Sequence, residues 1–375
     1  PYTEHHWDIE KFMYFDRAVL SALPLLDFRP DVIHCHDWQT GLIPVYLHDS
    51  FAGGDFFRGI KTVMTIHNLK FQGNDGVEQF KRISGLSDYY FTIDKLRTGV
   101  DGNMLKGGLV YADAITTVSN TYAEEIKTQF YGEGLDGLMR ARANDLRGIV
   151  NGIDYVDYNP DTDKNIVVRY NYDNVLEKKI HNKRAIQAEL GLAQDDNRFM
   201  IGIVSRLTDQ KGFDLIAYMM ERMCEQGIQF VVLGTGEQKY EDMFRWFAGK
   251  YPDRVSANIY YSEEMSHRIY ASADAFLMPS LFEPCGLSQL ISLRYGTGGL
   301  RDTVQPFNQF ERTGTGFSFA NYNAHEMYNT VMFAKYIFDD RRDEWNGLIK
   351  SAMAQDFSWQ ASANKYQEMY DWLIG

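Results

Sequence analysis

Apolar segments of strand length alternate with amphipathic segments of helical length along most of this chain, in two series separated by a polar stretch. The first series begins with "DVIHCH" at residues 31–36 and ends with "RGIVNGID" at residues 147–154. A turn-rich segment then runs to about Asn174, and the second series continues to the strand candidate "DAFLMPS" at residues 274–280. Such alternation predicts βαβ units with parallel sheets. The sequence therefore predicts an α/β fold with two Rossmann-like domains and ligands at the carboxyl ends of the strands.

The composition limits the kind of protein this is. Of 375 residues, 45% are hydrophobic and 24% are charged, which is typical of a globular protein. The formal net charge of −13 argues against nucleic acid as the main partner, because a polyanion is bound by an excess of cations. No run approaches the roughly 18 apolar residues that span a bilayer, so no membrane association is expected. Cys35, Cys224 and Cys285 form no CxxC pair, which favours a reducing compartment such as the cytoplasm, or a plastid in a plant-type source.

The segment "DVIHCHDWQTG" at residues 31–41 resembles a set of metal ligands. In a strand, His34 and His36 share one face, and Asp37 follows at once. A zinc site, however, needs three or four converging ligands. The alternative is a buried strand whose end carries polar side chains into a ligand site. We favour the strand and expect no metal, although this segment alone leaves both interpretations open.

Two further segments place charged groups where a strand leads into a helix. In "SRLTDQKGFDLI", Arg206 follows a strand and Lys211 precedes a helix, an arrangement suited to a diphosphate, with two solvated surface cations as the alternative. In "PSLFEPCGLSQL", Pro284 is expected at the first helical position and Glu283 just before it. Glu283 could cap the helix or accept hydrogen bonds from sugar hydroxyl groups.

Two short motifs are interpreted as structural. "VVLGTGEQ" supplies Gly234 and Gly236, but Lys239 stands where a dinucleotide fingerprint needs its third glycine, so a tight turn is favoured over NAD binding. The "DTD" at residues 161–163 matches the metal-binding DxD of some sugar-nucleotide enzymes. It directly follows "NP" in the polar stretch, so a solvated turn is expected there. We therefore expect no cofactor.

Six motifs in this order resemble the glycogen and starch synthases. They are "HCHDWQTGLIPVYL", "TIHNLKFQG", "LKGGLVYADAITTVS", "GIVNGIDY", "SRLTDQKGFDL" and "PSLFEPCGLSQL". The resemblance covers nearly the whole chain and implies a retaining glucosyltransferase of the GT-B architecture, with two Rossmann-like domains facing across a cleft. It implies transfer of glucose from ADP-glucose, or UDP-glucose in some members, to the non-reducing 4-OH of an α-1,4-glucan.

The resemblance also implies roles for individual residues. Asp37 is expected near the transferring glucose, His67 on its 6-OH, and Asn151 as a second sugar contact. Arg206 and Lys211 are expected to neutralise the donor diphosphate. The remaining expected contacts are Glu283 on glucose hydroxyl groups, Tyr261 stacked on the base, and the substrate-binding residues Cys285, Gly286, Leu287, Thr297, Gly298 and Gly299.

The resemblance implies that the departing diphosphate is stabilised by preorganised cations and that domain closure expels water. Since Asp37 and Glu283 are better suited to binding hydroxyl groups than to nucleophilic attack, we favour front-face attack over a double displacement. Two alternatives stay open: another glucosyltransferase of the same architecture, such as a sucrose- or trehalose-type synthase, and an inactive or regulatory glucan-binding fragment.

Domains are expected at residues 1–165 and 166–360, with a C-terminal helix at residues 361–375 that crosses back to the first domain. Two departures from the family bear on this expectation. No "KTGGL"-like loop precedes Pro1, so the start of the first domain is expected to be missing, and the chain as given is expected to lack synthase activity. The segment "LRYGTGGLRDTV" also lacks a strand of about six or seven residues that members carry there, which would leave a gap in the second sheet.

Overall fold

A computed structural model describes residues 4–300 and 304–375, and within it the chain forms two compact units. The first unit contains the chain up to Asn151 together with Ser362–Gly375, and the second contains Gly152–Ala361. Each unit is an α/β layer structure built on a parallel sheet, as the alternation of strand and helix segments predicts.

The division between the units falls earlier than residue 165. Residues 152–165 belong to the second unit because their contacts lie there. Ile153 forms a parallel β-bridge with Ser358. Tyr158 stacks on His267, with ring centroids 4.8 Å apart. Polar turn composition marked this segment as a linker, but its partners are distant in the sequence.

The first unit contains seven strands and six α-helices among its described residues up to Asn151. In chain order they are α1 (His5–Ala22), β1 (Val32–His36), α2 (Ile43–Tyr46), β2 (Lys61–Ile66), β3 (Asn74–Gly76), α3 (Val77–Ser84), β4 (Arg97–Thr98), β5 (Asp101–Asn103), α4 (Met104–Tyr111), β6 (Ala114–Thr117), α5 (Asn120–Glu125), α6 (Asp136–Ala141) and β7 (Leu146–Gly148). The parallel sheet has the order β1-β2-β6-β7, and a small antiparallel sheet has the order β3-β5-β4.

The parallel register of the first sheet sets the position of its polar edge. β2 is buried at every position after Lys61, as expected for a parallel strand covered on both faces. His36 at the end of β1 lies beside Thr65 of β2. The residues that follow these strands, Asp37 and His67, therefore emerge at the same carboxyl edge.

The second unit contains the longer sheet. Its elements are α7 (Val175–Glu189), β8 (Met200–Val204), α8 (Phe213–Glu225), β9 (Gln229–Leu233), α9 (Gln238–Lys250), β10 (Val255–Asn258), α10 (Glu263–Ser272), β11 (Ala275–Leu277), α11 (Leu287–Arg294), β12 (Gly298–Leu300), β13 (Gly316–Phe317), α12 (Ala324–Asp340) and α13 (Arg342–Met353). The strand order is β10-β9-β8-β11-β12-β13, with every pair parallel. A buried cluster holds this sheet against its helices; its members include Ile186, Met200, Val231, Leu233 and Ile269.

The expected gap in this sheet does not occur. Gly298–Leu300 forms β12 itself, and Gly298 lies beside Ala275 of β11. On its other side β12 pairs with β13, where Gly299 lies beside Gly316. The second sheet has no gap there because the "GGL" segment takes the position next to β11.

The last helix, α14 (Trp359–Ile374), packs mainly on the first unit. Met369 lies in a buried cluster with Val63 and Ala114 of the first sheet. The guanidinium of Arg147 lies over the ring of Trp372, 4.2 Å from its centroid. Within residues 4–300 and 304–375, no helix combines the length and the apolar character that crossing a membrane requires.

Candidate functional site

Asp37 stands in an unusual backbone conformation at the carboxyl edge of the first sheet. Its φ of 56° and ψ of −172° lie in a region that is populated almost only by glycine. The carboxylate oxygen Oδ1 accepts a hydrogen bond from the backbone N–H of His67, at 2.7 Å. Burial raises the pKa of Asp37, and the hydrogen bonds from the backbone of His67 and Asn68 oppose that rise. Strain of this kind persists where the surroundings impose it, and it is concentrated at functional sites.

Three histidines lie next to Asp37 and are linked in a row. His34 and His36 stack with ring centroids 4.4 Å apart and an angle of 20° between their planes. The Nδ1 atom of His36 lies 3.0 Å from Nε2 of His67. Both ring nitrogens of His34 are engaged, Nδ1 with the hydroxyl of Tyr370 at 2.5 Å and Nε2 with the hydroxyl of Thr65 at 2.6 Å.

The arrangement of these groups differs from that of metal ligands. Across residues 4–300 and 304–375, no group of three or more His, Cys, Asp or Glu side chains is placed to hold a metal ion. His36 and His67 use the facing nitrogens for each other, and Asp37 accepts from a backbone N–H. Asn151, the second predicted sugar contact, is the half-buried last residue before the second unit begins.

In the second unit, the loop after β8 carries the two predicted phosphate-binding cations. The backbone N–H of Ser205 donates to the carbonyl of Leu233, at 3.1 Å, so the loop continues alongside the end of β9. Arg206 follows and is exposed. Lys211 ends a 3-10 turn that begins at Asp209, directly before Gly212 and α8.

The glycines of "LGTG" allow the loops after β8 and β9 to lie in contact. Gly234 has a φ of 156°, and a Cβ atom there would lie 1.9 Å from the carbonyl oxygen of Ser205. A Cβ atom on Gly236 would lie 2.2 Å from the carbonyl oxygen of Leu207. Close approach of two backbones therefore explains this pair of glycines, which agrees with the tight turn that the sequence predicts.

Lys211 and Glu283 form an ion pair that joins the loop after β8 to the loop after β11. The Nζ atom of Lys211 contacts Oε2 of Glu283, and each side chain is only 15% exposed. The hydroxyl of Ser280 donates to the same oxygen, at 3.2 Å. The structure thus brings together two residues that the sequence placed at one site through separate motifs.

A cavity of about 350 Å³ lies beside this pair of loops. Three predicted residues line it: Arg206, Tyr261 and Leu287. Tyr261 is 88% exposed, so its ring is available to a ligand. Arg206 forms no ion pair with any residue that the structure describes, and its guanidinium is therefore available to an anion. Gly234, which the sequence predicts only as part of a tight turn, also lines the cavity. The remaining lining residues, for which the sequence predicts no ligand contact, are Tyr158, Val204, Ser205, Leu233, Thr235, Tyr260, Ser262, Glu263, Ser266, Tyr270, Ser288 and Ile291.

The segment after Glu283 enters its helix later than expected. Pro284 is not at the first helical position, because α11 begins at Leu287 with Gly286 as its N-terminal cap. Gly286 has a φ of 62°, a left-handed conformation that suits glycine. Cys285 is buried, whereas Leu287 is 47% exposed. Of these residues, only Leu287 lines the cavity.

Thr297, Gly298 and Gly299 lie inside the second sheet, which differs from the ligand contact expected of them. Thr297 is fully buried, and its hydroxyl donates to the carbonyl of Tyr270, at 2.6 Å. It also accepts from the ammonium of Lys179, at 2.8 Å. These residues are buried because β12 lies between β11 and β13.

Asp163 of the "DTD" motif is buried, so the expectation of a solvated turn is wrong for this residue. Its Oδ2 atom lies 2.8 Å from Nδ1 of His267 and accepts from the hydroxyl of Tyr295, at 2.5 Å. Burial alone would raise the pKa of Asp163, but hydrogen bonds from His267, Tyr295 and the backbone of Asn165 hold it below its ordinary value. Because Tyr158 stacks on His267, this buried network supports one wall of the cavity.

The network was missed because no local pattern marks it. His267 and Tyr295 lie 104 and 132 positions after Asp163. Tyr158 precedes an ordinary "NP" turn. The one available signal was His267 in "YSEEMSH" at residues 261–267, a segment in which only Tyr261 was predicted to have a role.

Two known families match parts of this chain. The family described as "Starch synthase catalytic domain" matches residues 1–141, and the family described as "Glycosyl transferases group 1" matches residues 198–332. A glycogen synthase of Lachnospira eligens is 63% identical over 380 aligned positions, which cover 100% of this chain and 80% of that protein. A glycogen synthase of Lachnoclostridium phytofermentans is 62% identical, with the same coverage.

A solved structure of a plant enzyme is similar over the whole chain. It is the catalytic domain of starch synthase IV from Arabidopsis thaliana bound to ADP and acarbose. The TM-score is 0.88 and the sequence identity is 31%, with 100% of this chain and 78% of that chain covered. The similarity includes both parallel sheets, because the whole of this chain takes part in the match.

Proposed function

This chain belongs to the glycogen and starch synthase family of retaining glucosyltransferases with the GT-B fold, and we propose that it elongates an α-1,4-glucan with glucose from ADP-glucose. The observation that carries this proposal is the set of groups beside the cavity of the second unit. An unpaired guanidinium, from Arg206, lines the cavity, and the Lys211–Glu283 pair joins the loops that lead into it. A nucleoside diphosphate sugar presents the base, the phosphates and the hydroxyl groups that this set would bind.

The donor diphosphate would be bound by the two cations. A guanidinium forms two parallel hydrogen bonds to phosphate oxygens, and an ammonium supplies a compact point charge. Arg206 and Lys211 follow the same strand, β8. Tyr261, with its exposed ring, would stack on the base.

Binding of the diphosphate would change the partner of Lys211. Its ammonium is held by Glu283, so the phosphate competes with a carboxylate for the same cation. Once phosphate shares that charge, oxygens of Glu283 become available to accept hydrogen bonds from glucose hydroxyl groups. Donor binding therefore prepares the sugar contact.

The carboxyl edge of the first sheet would contact the sugar. Asp37 and His67 are held together by the hydrogen bond between the Asp37 carboxylate and the His67 backbone. The carboxylate accepts hydrogen bonds, and the imidazole ring can donate or accept. We assign the glucose contact to these two residues and to Asn151.

The proposed step is front-face displacement with retention. The bond from the anomeric carbon to the phosphate oxygen breaks, and a bond from that carbon to the acceptor O4 forms on the same face. The acceptor proton passes to the departing phosphate oxygen, and Arg206 and Lys211 stabilise its negative charge. A double displacement needs a free carboxylate nucleophile, whereas Asp37 and Glu283 are each engaged with a neighbour.

The test supplies the purified full-length enzyme with ADP-glucose or UDP-glucose carrying labelled glucose, and with glycogen or a free sugar phosphate as acceptor. We expect label in glycogen, with ADP-glucose as the better donor. Label in a small-sugar product would show a sucrose- or trehalose-type synthase instead. Binding of maltooligosaccharide in calorimetry, without binding of ADP and without turnover, would show a glucan-binding protein that is not a catalyst.

A further inference from the structure

We propose that His36 is a positioning residue that fixes the ring orientation and the tautomer of His67. The inference rests on the proposed function in one respect only, namely that His67 contacts the sugar. His36 lies on β1 and His67 follows β2, so adjacent strands bring the two rings together. The sequence argument treated His36 only as a candidate metal ligand.

The contact between the two rings restricts where their protons can be. Nδ1 of His36 and Nε2 of His67 are 3.0 Å apart, so one of these nitrogens carries a hydrogen and the other presents its lone pair. A neutral imidazole has a single N–H group, so this choice also decides whether the remaining nitrogen of His67 donates or accepts. The ring nitrogen of His67 that faces a sugar hydroxyl is then always a donor or always an acceptor, instead of alternating between the two.

His36 is itself held in place from the other side. Its ring stacks on His34, and its backbone N–H donates to the hydroxyl of Thr40, at 2.7 Å. His34 cannot rotate freely, because Tyr370 and Thr65 engage its two ring nitrogens. Tyr370 belongs to α14, so the last helix of the chain contributes to the order of this edge.

The charge state of the row supports the same role. Burial, with smaller contributions from the nearby His36 and His67, lowers the pKa of His34 to about 3. Burial also lowers the pKa of His36, with a further contribution from His67. His34 and His36 are therefore neutral near pH 7, so the ring that orients His67 is a neutral one.

Two substitutions at His36 separate the hydrogen bond from the ring stack. His36→Phe keeps an aromatic ring against His34 but has no nitrogen to offer His67. His36→Asn loses the stack but places an amide near the position of Nδ1, where it can still form a hydrogen bond to His67. His48→Phe is the matched control, since it makes the same change at an exposed histidine outside this row.

The first measurement is kinetic. We expect His36→Phe to lower kcat between about tenfold and a hundredfold with a smaller change in KM for ADP-glucose, the scale of a misplaced contact group. We expect His36→Asn to restore most of that loss and His48→Phe to match the unmodified protein. Equal losses in His36→Phe and His36→Asn would assign the effect to packing and overturn the proposal.

The second measurement does not depend on catalysis. In protein labelled with ¹⁵N-histidine, the ring signals of His67, assigned by their loss in His67→Gln, should report one tautomer. In His36→Phe they should move to the averaged values of two exchanging tautomers. Averaged signals in the unmodified protein would overturn the role proposed for His36, even if turnover is normal. A single tautomer in a protein without turnover would contradict the proposed function and leave the role of His36 unaffected.

Discussion

The ammonium of Lys211 is paired with the carboxylate of Glu283, and both side chains retain only 15% of their exposure. The pair connects the loop after β8 with the loop after β11, which are adjacent strands of one sheet. The two residues that we assign to the phosphate and to the sugar are therefore coupled before any ligand binds. Replacement of either one changes the charge balance around the other.

In the full-length enzyme, we expect Lys211→Ala to lower kcat by at least about a hundredfold, the scale of losing one preorganised group that stabilises developing charge. The substitution also leaves the carboxylate of Glu283 without its cation, with the hydroxyl of Ser280 as a remaining partner. Steady-state incorporation of labelled glucose into glycogen measures the effect. Lys250→Ala is the control, because Lys250 is an exposed lysine paired with Glu221, and neither residue lines the cavity. A Lys211→Ala enzyme within about threefold of the unmodified kcat would contradict the diphosphate assignment.

Gly212 fixes the position of Lys211, and we expect Gly212→Ala to destabilise the protein by at least about 2 kcal/mol. Gly212 has a φ of 73°, and a Cβ atom there would lie 2.0 Å from the carbonyl oxygen of Pro279. Gly249→Ala makes the same change in α9, where a Cβ atom meets nothing within 4 Å. We expect that variant to gain about 0.5–1 kcal/mol, since alanine loses less entropy in a helix. Urea unfolding of both variants gives the comparison, and equal midpoints would contradict it.

The "DTD" motif provides a matched pair of carboxylates. We expect Asp163→Ala to lower the free energy of unfolding by at least about 3 kcal/mol, because it leaves His267 and Tyr295 buried without their acceptor. Asp161→Ala removes an exposed carboxylate with one long contact, to Asn171 at 3.4 Å, and should change the free energy by less than about 0.5 kcal/mol. Similar losses in the two variants would show that the buried network does not stabilise the fold.

Features that depend on local sequence could be predicted, whereas features that depend on contacts between residues distant in the sequence could not. The alternation of strands and helices follows from hydrophobic periodicity, so the parallel units were predictable, as were the loops that carry Arg206 and Glu283. The network of Asp163 was not, because its partners are more than a hundred positions away and a buried carboxylate has the same local sequence as a solvated one. The small β3-β5-β4 sheet was also missed, since strands of two or three residues are too short to show a period.

The pairing of β12 is a second long-range contact that the sequence did not predict. The sequence indicated a missing strand, because the segment "GTGGL" is shorter than the family pattern. Sheet pairing is decided by what can reach the free edge of β11, and Gly298–Leu300 reaches it. Motif spacing identified the irregularity but could not predict which residues would fill the position.

We expect activity to be unaffected by EDTA, because Arg206 and Lys211 supply the charge that meets the donor phosphates. Glucose incorporation is measured with and without the chelator after extensive dialysis. Loss of turnover in EDTA, restored by a divalent ion, would contradict this expectation and return His34, His36 and Asp37 to consideration as metal ligands.

His34 should make the stability of the protein sensitive to mild acid. Its pKa is lowered by burial, then by His36 and His67, to about 3, against an ordinary value of 6.5. Between these two values the unfolded chain binds a proton that the folded chain does not. Acidification therefore favours the unfolded state, by at most about 1.4 kcal/mol for each pH unit.

In His34→Gln, neither the folded nor the unfolded chain has an imidazole at position 34 to bind a proton. At pH 7 we expect the variant to be less stable than the unmodified protein, because the contacts with Tyr370 and Thr65 are weakened. On acidification to about pH 5.5 the unmodified protein loses the His34 contribution and the variant does not, so the difference between them should shrink by about 1 kcal/mol. Urea unfolding at both pH values measures this change. A difference that stays constant, or grows, on acidification would mean that His34 takes up its proton in the folded protein as readily as in the unfolded chain. The neutral state of His34, on which the ordered stack with His36 is argued, would then lose its support.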